Sequence, residues 1–352
     1  MGSSLFLLAA LNTAIYADFN VVRGANSPLE LIPDARTTAL GGVRLGLPGE
    51  AGAEAWHPAA LADAPGGWFH LSHTEHFLDS RYDGLSFLYR PGERDLLAFS
   101  LARFGTDGIP LTKEGEIYEG KGWESFSISD WIATTAIARR WGDWRIGGSL
   151  HLLWRDYDQT GWGMRTDLSG GWSRAGWRVD AAIKSLSGSA ALWESGWKEI
   201  SPPDLFLGVG WLKAIPYFYG EWRIAWQSAG IFQKEGKSSV AWEEETDDKE
   251  AELIGARAWE EPLRWLTASS VAMEFVVERW VTLRVGFPSL HSPSEWSAGG
   301  GVRWRGILTV DYAFRRHPEL RVIHQVTLGI SPWKLFHSSD DSSQQQRPYT
   351  IM

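Results

Sequence analysis

The chain has no cysteine among its 352 residues, so it can build neither a disulfide framework nor a thiolate zinc site. It also lacks an excess of positive charge. Its 34 Lys and Arg against 43 Asp and Glu leave a formal charge of -9, which excludes a nucleic-acid binder that works by neutralising phosphates. After the first residues no apolar run reaches the roughly 18 positions that a membrane-crossing helix needs, so a helical membrane protein is excluded as well. Neither a phosphate-binding glycine loop, a Gly-x-Ser-x-Gly elbow nor a His-Glu-x-x-His pair occurs. The expectation is a non-catalytic protein without a cofactor.

What is abundant is tryptophan. There are 22 indoles in a chain that is 13% aromatic, far too apolar for whole-chain disorder. Indole is bulky and amphipathic, and it collects where one end is apolar and the other wet. Residues 1–17, MGSSLFLLAALNTAIYA, carry an apolar stretch from Leu5 to Leu11 that is too short to span a bilayer and suits a signal peptide cleaved near Ala17. The competing reading of that stretch is a buried first helix or strand. The polar end, 337–352, reads as a mobile tail.

Between these ends the chain alternates. From Trp144 to Trp154, Trp144, Ile146, Leu150, Leu152 and Trp154 share one face, opposite Arg145, Gly147, Ser149, His151 and Arg155. Period two means a strand. Two indoles ten residues apart, at about 3.3 Å per residue and a tilt near 40°, span roughly 25 Å, the apolar height of a bacterial outer membrane. The same ruler recurs from Trp162 to Trp172, with Arg165 and Asp167 on the other face. Trp177 and Val179 against Arg178, Asp180 and Lys184 repeat the sense of the alternation, as do Phe218, Trp222, Ile224 and Trp226 against Glu221, Arg223 and Gln227. Near the end, Trp296, Ala298, Val302 and Trp304 oppose Ser297, Arg303 and Arg305; Leu308, Val310, Tyr312 and Phe314 oppose Thr309, Asp311 and Arg315.

Sandwich strands usually run about 5 or 6 residues, whereas these run about 9 to 12, as tilted transmembrane strands do. Lipid offers backbone groups no partners, so such strands must close into a barrel. The expectation is all-β: a single transmembrane antiparallel β-barrel of about 14 strands, with outer-membrane lipid as its surroundings. Trp131 to Trp141 and Trp265 to Val277 alternate poorly, and 105–130 and 233–262 read as long insertions. The acidic run within 243–248 could hold divalent cations, but it reads more simply as a solvated loop.

The inward charges Arg145, Arg155, Arg165, Asp167, Arg178, Asp180, Lys184, Glu221, Arg223, Asp311, Arg303 and Arg305 admit two roles: a selectivity lining for anions, or mutually paired charges that fill the lumen, since an unpaired confined charge costs several kcal/mol. Pairing is favoured. His70, His73 and His76 with Glu75 look like metal ligands, but on a strand His73 faces away from the other two. Ser195 with Lys198 and Ser331 with Lys334 match a Ser-x-x-Lys spacing in the wrong context for a nucleophile.

The segment ARTTALGGVRLGLPGEAGAEAWHPAALAD resembles the N-terminal region of the PorV/PorQ family of outer-membrane barrels, which is related in fold to the FadL long-chain fatty-acid transporter. The matching places are Ala35, Arg36, Gly41, Gly42, His57, Pro58, Ala59 and Leu61, with His57 where the family usually has Asn. Residues 125–172 and the closing stretch with Asp311, Tyr312, Ala313, Phe314, Leu320 and His324 agree as well. The resemblance implies an N-terminal hatch in or under the lumen, hence hatch and first strand over 18–62 and barrel over 63–336. It implies secretion-system or surface proteins as partners, as for a type IX secretion component. The FadL-like alternative is a conduit for a hydrophobic ligand. A soluble, secreted, Trp-rich sugar-binding β-protein is the third reading.

Overall fold

The computed structural model describes residues 20–21, 26–111, 124–216, 219–231, 266, 268–278, 280–290, 292, 294–317 and 321–332. The signal segment, the acidic run, Phe218, Leu320, Lys334 and the tail lie outside these. A two-residue strand β1 (Asn20–Val21) and the helix α1 (Ala35–Ala39) come first, with 3-10 turns at Ser27–Glu30, Ala53–Ala55 and Pro58–Asp63. The strands that follow are β2 (Trp68–Glu75), β3 (Ser80–Tyr89), β4 (Asp95–Pro110), β5 (Ser125–Trp141), β6 (Trp144–Asp156), β7 (Thr160–Arg174), β8 (Trp177–Lys184) and β9 (Ser189–Trp193). They continue as β10 (Lys198–Ser201), β11 (Asp204–Ile215), β12 (Gly220–Gln227), β13 (Ser270–Val277), β14 (Val281–Phe287), β15 (Trp296–Trp304), β16 (Leu308–His317) and β17 (Arg321–Ile330).

Neighbouring strands pair antiparallel in sequence order, and β17 pairs with β2, so the sheet has no open edge in its wall. β8 and β9 both pair with β7, while β10 pairs with β9 and β11 with β8. Each of these couples is therefore one wall strand interrupted midway, at 185–188 and at Pro202 and Pro203, where proline can donate no ladder bond. The wall is a closed barrel of 14 strands. β1 adds in parallel to β10.

The indole ruler reads as the alternation requires. Trp144 and Trp154 lie on the outer face, 62% and 44% exposed. Trp141, Trp144 and Trp172 stand side by side at one end of their strands, and Trp131, Trp154 and Trp162 at the other. The rings of Trp154 and Trp162 stack 6.1 Å apart. Between these rows the outer face presents Ile146, Leu150, Leu152, Met164 and Leu168. A closed wall with two aromatic rows around an apolar band is the geometry of a bacterial outer-membrane barrel, and that is where the protein resides. Tight turns such as 142–143 and 175–176 mark the periplasmic end of the strands, and the opposite end, where β4 stops at Pro110 and β5 begins at Ser125, is the extracellular one.

One expectation needs correction. The insertion read over 105–130 is shorter, because β4 runs to Pro110 and β5 begins at Ser125. Among the described residues the strand within 18–62 is β1, which adds to β10; the next begins at Trp68, and residues 26–67 are packed against inward-facing side chains of the wall. β5 is a regular strand despite its weak alternation. Its inner residues Ala136 and Ala138 are apolar because Leu61, Ala62 and Ala64 of the N-terminal segment pack on them, with Leu88, Leu96 and Ala98 of the adjoining strands.

Candidate functional site

The N-terminal segment, the hatch, is tied into the lumen through three groups of charges. In the first, Glu274 of β13 is 1% exposed and meets three guanidiniums. Arg36 of α1 approaches both carboxylate oxygens, at 2.9 and 3.1 Å, Arg223 comes to 2.8 Å and Arg284 to 2.8 Å. Arg284 also pairs with Asp311, and Arg223 with Glu221. Burial alone would depress the Arg36 guanidinium, but the carboxylates of Glu274 and Glu50 reverse this and hold it above its ordinary value. Burial would likewise raise Glu50, yet Arg36 and Arg303 bring it below the usual carboxylate range.

In the second group Asp167 accepts from Lys184 at 2.7 Å, and lies 3.2 Å from Arg165 and 3.1 Å from the His151 ring. Arg165 reaches on to Glu30 of the hatch. Lys184 donates to the Ala55 carbonyl at 3.0 Å and stands 4.4 Å over the ring of Trp56, which Arg44 also approaches to 4.4 Å. In the third, Asp180 accepts from Arg145 at 3.0 Å and from the Gly46 amide at 2.8 Å, with His57 Nε2 3.4 Å away. Asp63 of the hatch gathers Arg140, Arg145 and Arg178. Arg155 lies apart from these groups, 3.3 Å from Asp130 and over Trp193.

The lining residues Arg145, Arg155, Arg165, Asp167, Arg178 and Asp180 are thus brought inside and paired, together with Glu221 and Arg223. Arg303 points inward at the periplasmic mouth, where its side chain is 47% exposed and 3.4 Å from Glu50. Arg305 departs from the expectation: it sits in the turn after β15 at a φ of 49°, exposed, with its guanidinium over Trp304. The family-like positions divide. Gly41 and Gly42 adopt left-handed backbone after α1, at φ 65° and 82°. Pro58 and Ala59 are buried, and the Ala59 amide donates to Ser169 at 2.9 Å. Tyr312 and His324 face outward, joined by a 2.7 Å hydrogen bond. His73 also faces outward, 2.7 Å from Asp83, while His70 faces the lumen and His76 packs on Phe104.

Pattern reading missed Glu274, Asp63 and the carboxyls Asp34 and Glu54. A lone acid in the apolar run VAMEFVV was the available signal for the first. Wall glycines are the second missed feature. A Cβ on Gly210 would overlap the Gly46 carbonyl, and one on Gly286 would overlap the Leu40 backbone, so the hatch main chain rests directly on the sheet. Gly210→Val is expected to unseat it, read as trypsin cleavage of the N-terminal segment several-fold faster than in the parent, in detergent.

Between the hatch and β2 to β6 lies a cavity of about 40 Å3. Its walls include Leu29, Leu31, Tyr82, Ala102 and Ile132, and they carry Asp34 and Glu54 but no Lys or Arg. Burial pushes both carboxyls above their ordinary values. Asp34 caps α1, accepting from the Thr37 amide at 2.7 Å and its hydroxyl at 2.8 Å.

No family model matches the chain, and no curated protein does. Among solved structures it is similar to the toluene transporter TbuX of Ralstonia pickettii, at 11% identity and a TM-score of 0.49, over 85% of this chain and 98% of that one. It is similar to the Pseudomonas putida toluene transporter TodX at 12% and 0.44, over 84% and 96%. To the Acinetobacter baumannii outer membrane protein Omp33 the figures are 5% and 0.39, over 75% and 96%.

Proposed function

We propose that the protein is a non-catalytic outer-membrane conduit for small hydrophobic molecules. The observation that carries this reading is the cavity at Leu29, Leu31, Tyr82, Ala102 and Ile132, set in a lumen that also holds the hatch and its paired charges. Ion pairs that satisfy one another offer little to a dissolved polar solute. An apolar pocket rewards a solute that leaves water. TbuX and TodX are toluene transporters, and toluene is the first substrate to try here. The observations favour this conduit over the secretion-associated role that the PorV/PorQ resemblance implies.

The test uses vesicles with lipopolysaccharide in the outer leaflet, which slows apolar solutes by itself. Incorporated protein is expected to raise labelled toluene uptake at least fivefold over empty vesicles and to leave arabinose uptake unchanged. Equal toluene uptake with and without protein would overturn the proposal and return attention to a surface-assembly role.

A further inference from the structure

A second void, of about 30 Å3, lies on the periplasmic side of the first. Its lining includes Arg36, Glu50, Trp68, Arg303 and Thr309, and both voids share Asp34, Ala51 and His70. Placed end to end, they run along the inner faces of β2 and β3, from Tyr82 near the extracellular end to Arg303 at the periplasmic mouth. The character of the walls changes on the way. The upper part is mostly apolar, while the lower part carries Arg36, Glu50 and Arg303.

Two buried polar atoms beside this line, His70 Nδ1 and Trp68 Nε1, have no hydrogen-bond partner, and above them the Ser86 hydroxyl reaches the Glu54 carboxylate. A folded chain rarely leaves buried polar atoms unmade unless something else meets them. Glu54 is 1% exposed and Trp68 4%. Glu54 and Ser86 line the first void, Trp68 the second, and His70, which faces Ser86 across the β2–β3 ladder, lines both.

We propose that solute crosses the hatch itself along this line, with Ala51 and His70 as the narrowest point, and that the solute is amphipathic: a small apolar body bearing one hydrogen-bonding group such as a hydroxyl. A pure hydrocarbon gains nothing from these polar groups or from the charged lower half, and it crosses more slowly than a solute that bears a hydroxyl. A hydroxyl can be handed from Glu54 and Ser86 past His70 to Trp68. The route rests on the conduit reading above and specifies both its substrate class and its exit.

The absence of cysteine makes the test clean, because Ala51→Cys places a single thiol at the neck. Folded Ala51→Cys protein in lipopolysaccharide vesicles is treated with a benzyl methanethiosulfonate, and uptake of labelled 1-naphthol is followed. Labelling is expected to lower uptake at least tenfold, and a reducing agent to restore it. Unchanged uptake after labelling, or a thiol that the reagent cannot reach, would overturn the route; the first result would point to an exit through the interrupted wall at 185–188. An independent measurement is conductance across planar bilayers. His70→Ala widens the neck and is expected to give stepwise currents that the parent lacks, and a silent His70→Ala barrel would also overturn the route. If the parent does not speed toluene the conduit reading falls, while the His70→Ala currents still decide whether the hatch is traversable.

Discussion

Replacing Glu274 with alanine is expected to destabilise the folded barrel by about 3–5 kcal/mol, the usual consequence of removing one partner from a buried ionic group. The carboxylate meets Arg36, Arg223 and Arg284 at once, and it is 1% exposed. Without it three guanidiniums share a confined space with only Glu50, Glu221 and Asp311 to offset them. Arg36 belongs to α1 and the other two to the wall, so the loss falls mainly on the joint between hatch and barrel. Urea unfolding followed by heat-modifiable migration on gels reads the wall, and trypsin sensitivity of the N-terminal segment reads the joint. Glu274→Gln keeps the volume and removes the charge; it should lose most of the same stability. If Glu274→Ala unfolds at the parental urea concentration, the three arginines are held by something other than this carboxylate.

The second large effect concerns the outer wall. Leu150 lies near the middle of the stretch between Trp144 and Trp154, on the lipid-facing side and 38% exposed. Leu150→Arg is expected to cost about 2–4 kcal/mol when the barrel folds into vesicles, because a guanidinium near the bilayer midplane must be held in hydrocarbon or snorkel far to reach water. Trp144→Arg, at the water boundary, should cost about 1 kcal/mol or less by the same depth dependence. Reversible urea titrations in short-chain lipid vesicles would measure both. Equal costs at the two positions would mean that the indole rows do not mark the lipid boundaries.

The outer surface of this protein was legible in its sequence because lipid imposes a strict rule there: apolar between the rows, aromatic at them. Trp144, Trp154, Trp162 and Trp172 obey it. The inner surface was legible only where it is charged. Arg145, Arg165, Arg178 and Asp180 could be assigned inward because they oppose indoles along the same strand, but their partners could not be named, since pairing depends on which hatch residue arrives from far along the chain. Asp63 and Gly46 illustrate this: Asp63 meets Arg178 and Gly46 meets Asp180, each more than a hundred positions away. Where the hatch presents Leu61 and Ala62, the wall answers with Ala136 and Ala138, and period two fades because both faces of β5 are apolar. Arg305 failed for a simpler reason. A parity count carried past Trp304 runs off the end of β15 into a turn, where alternation has no meaning.

The contacts of α1 have a bearing on how the molecule is put together. The Ala35 amide donates to Thr327 at 2.9 Å, and the Gln325 side chain donates to the Ile32 carbonyl at 3.2 Å, so the start of α1 is gripped by the last strand of the wall. Those groups are made almost a whole chain length apart. A segment synthesised first must therefore wait, solvated and unanchored on that side, until β17 has zipped onto β2. Insertion of the barrel and seating of its interior become one late event, and such long-range closure is inherently slow. A chain stopped before β17 would lose the final seam of its wall together with the grip on its own beginning.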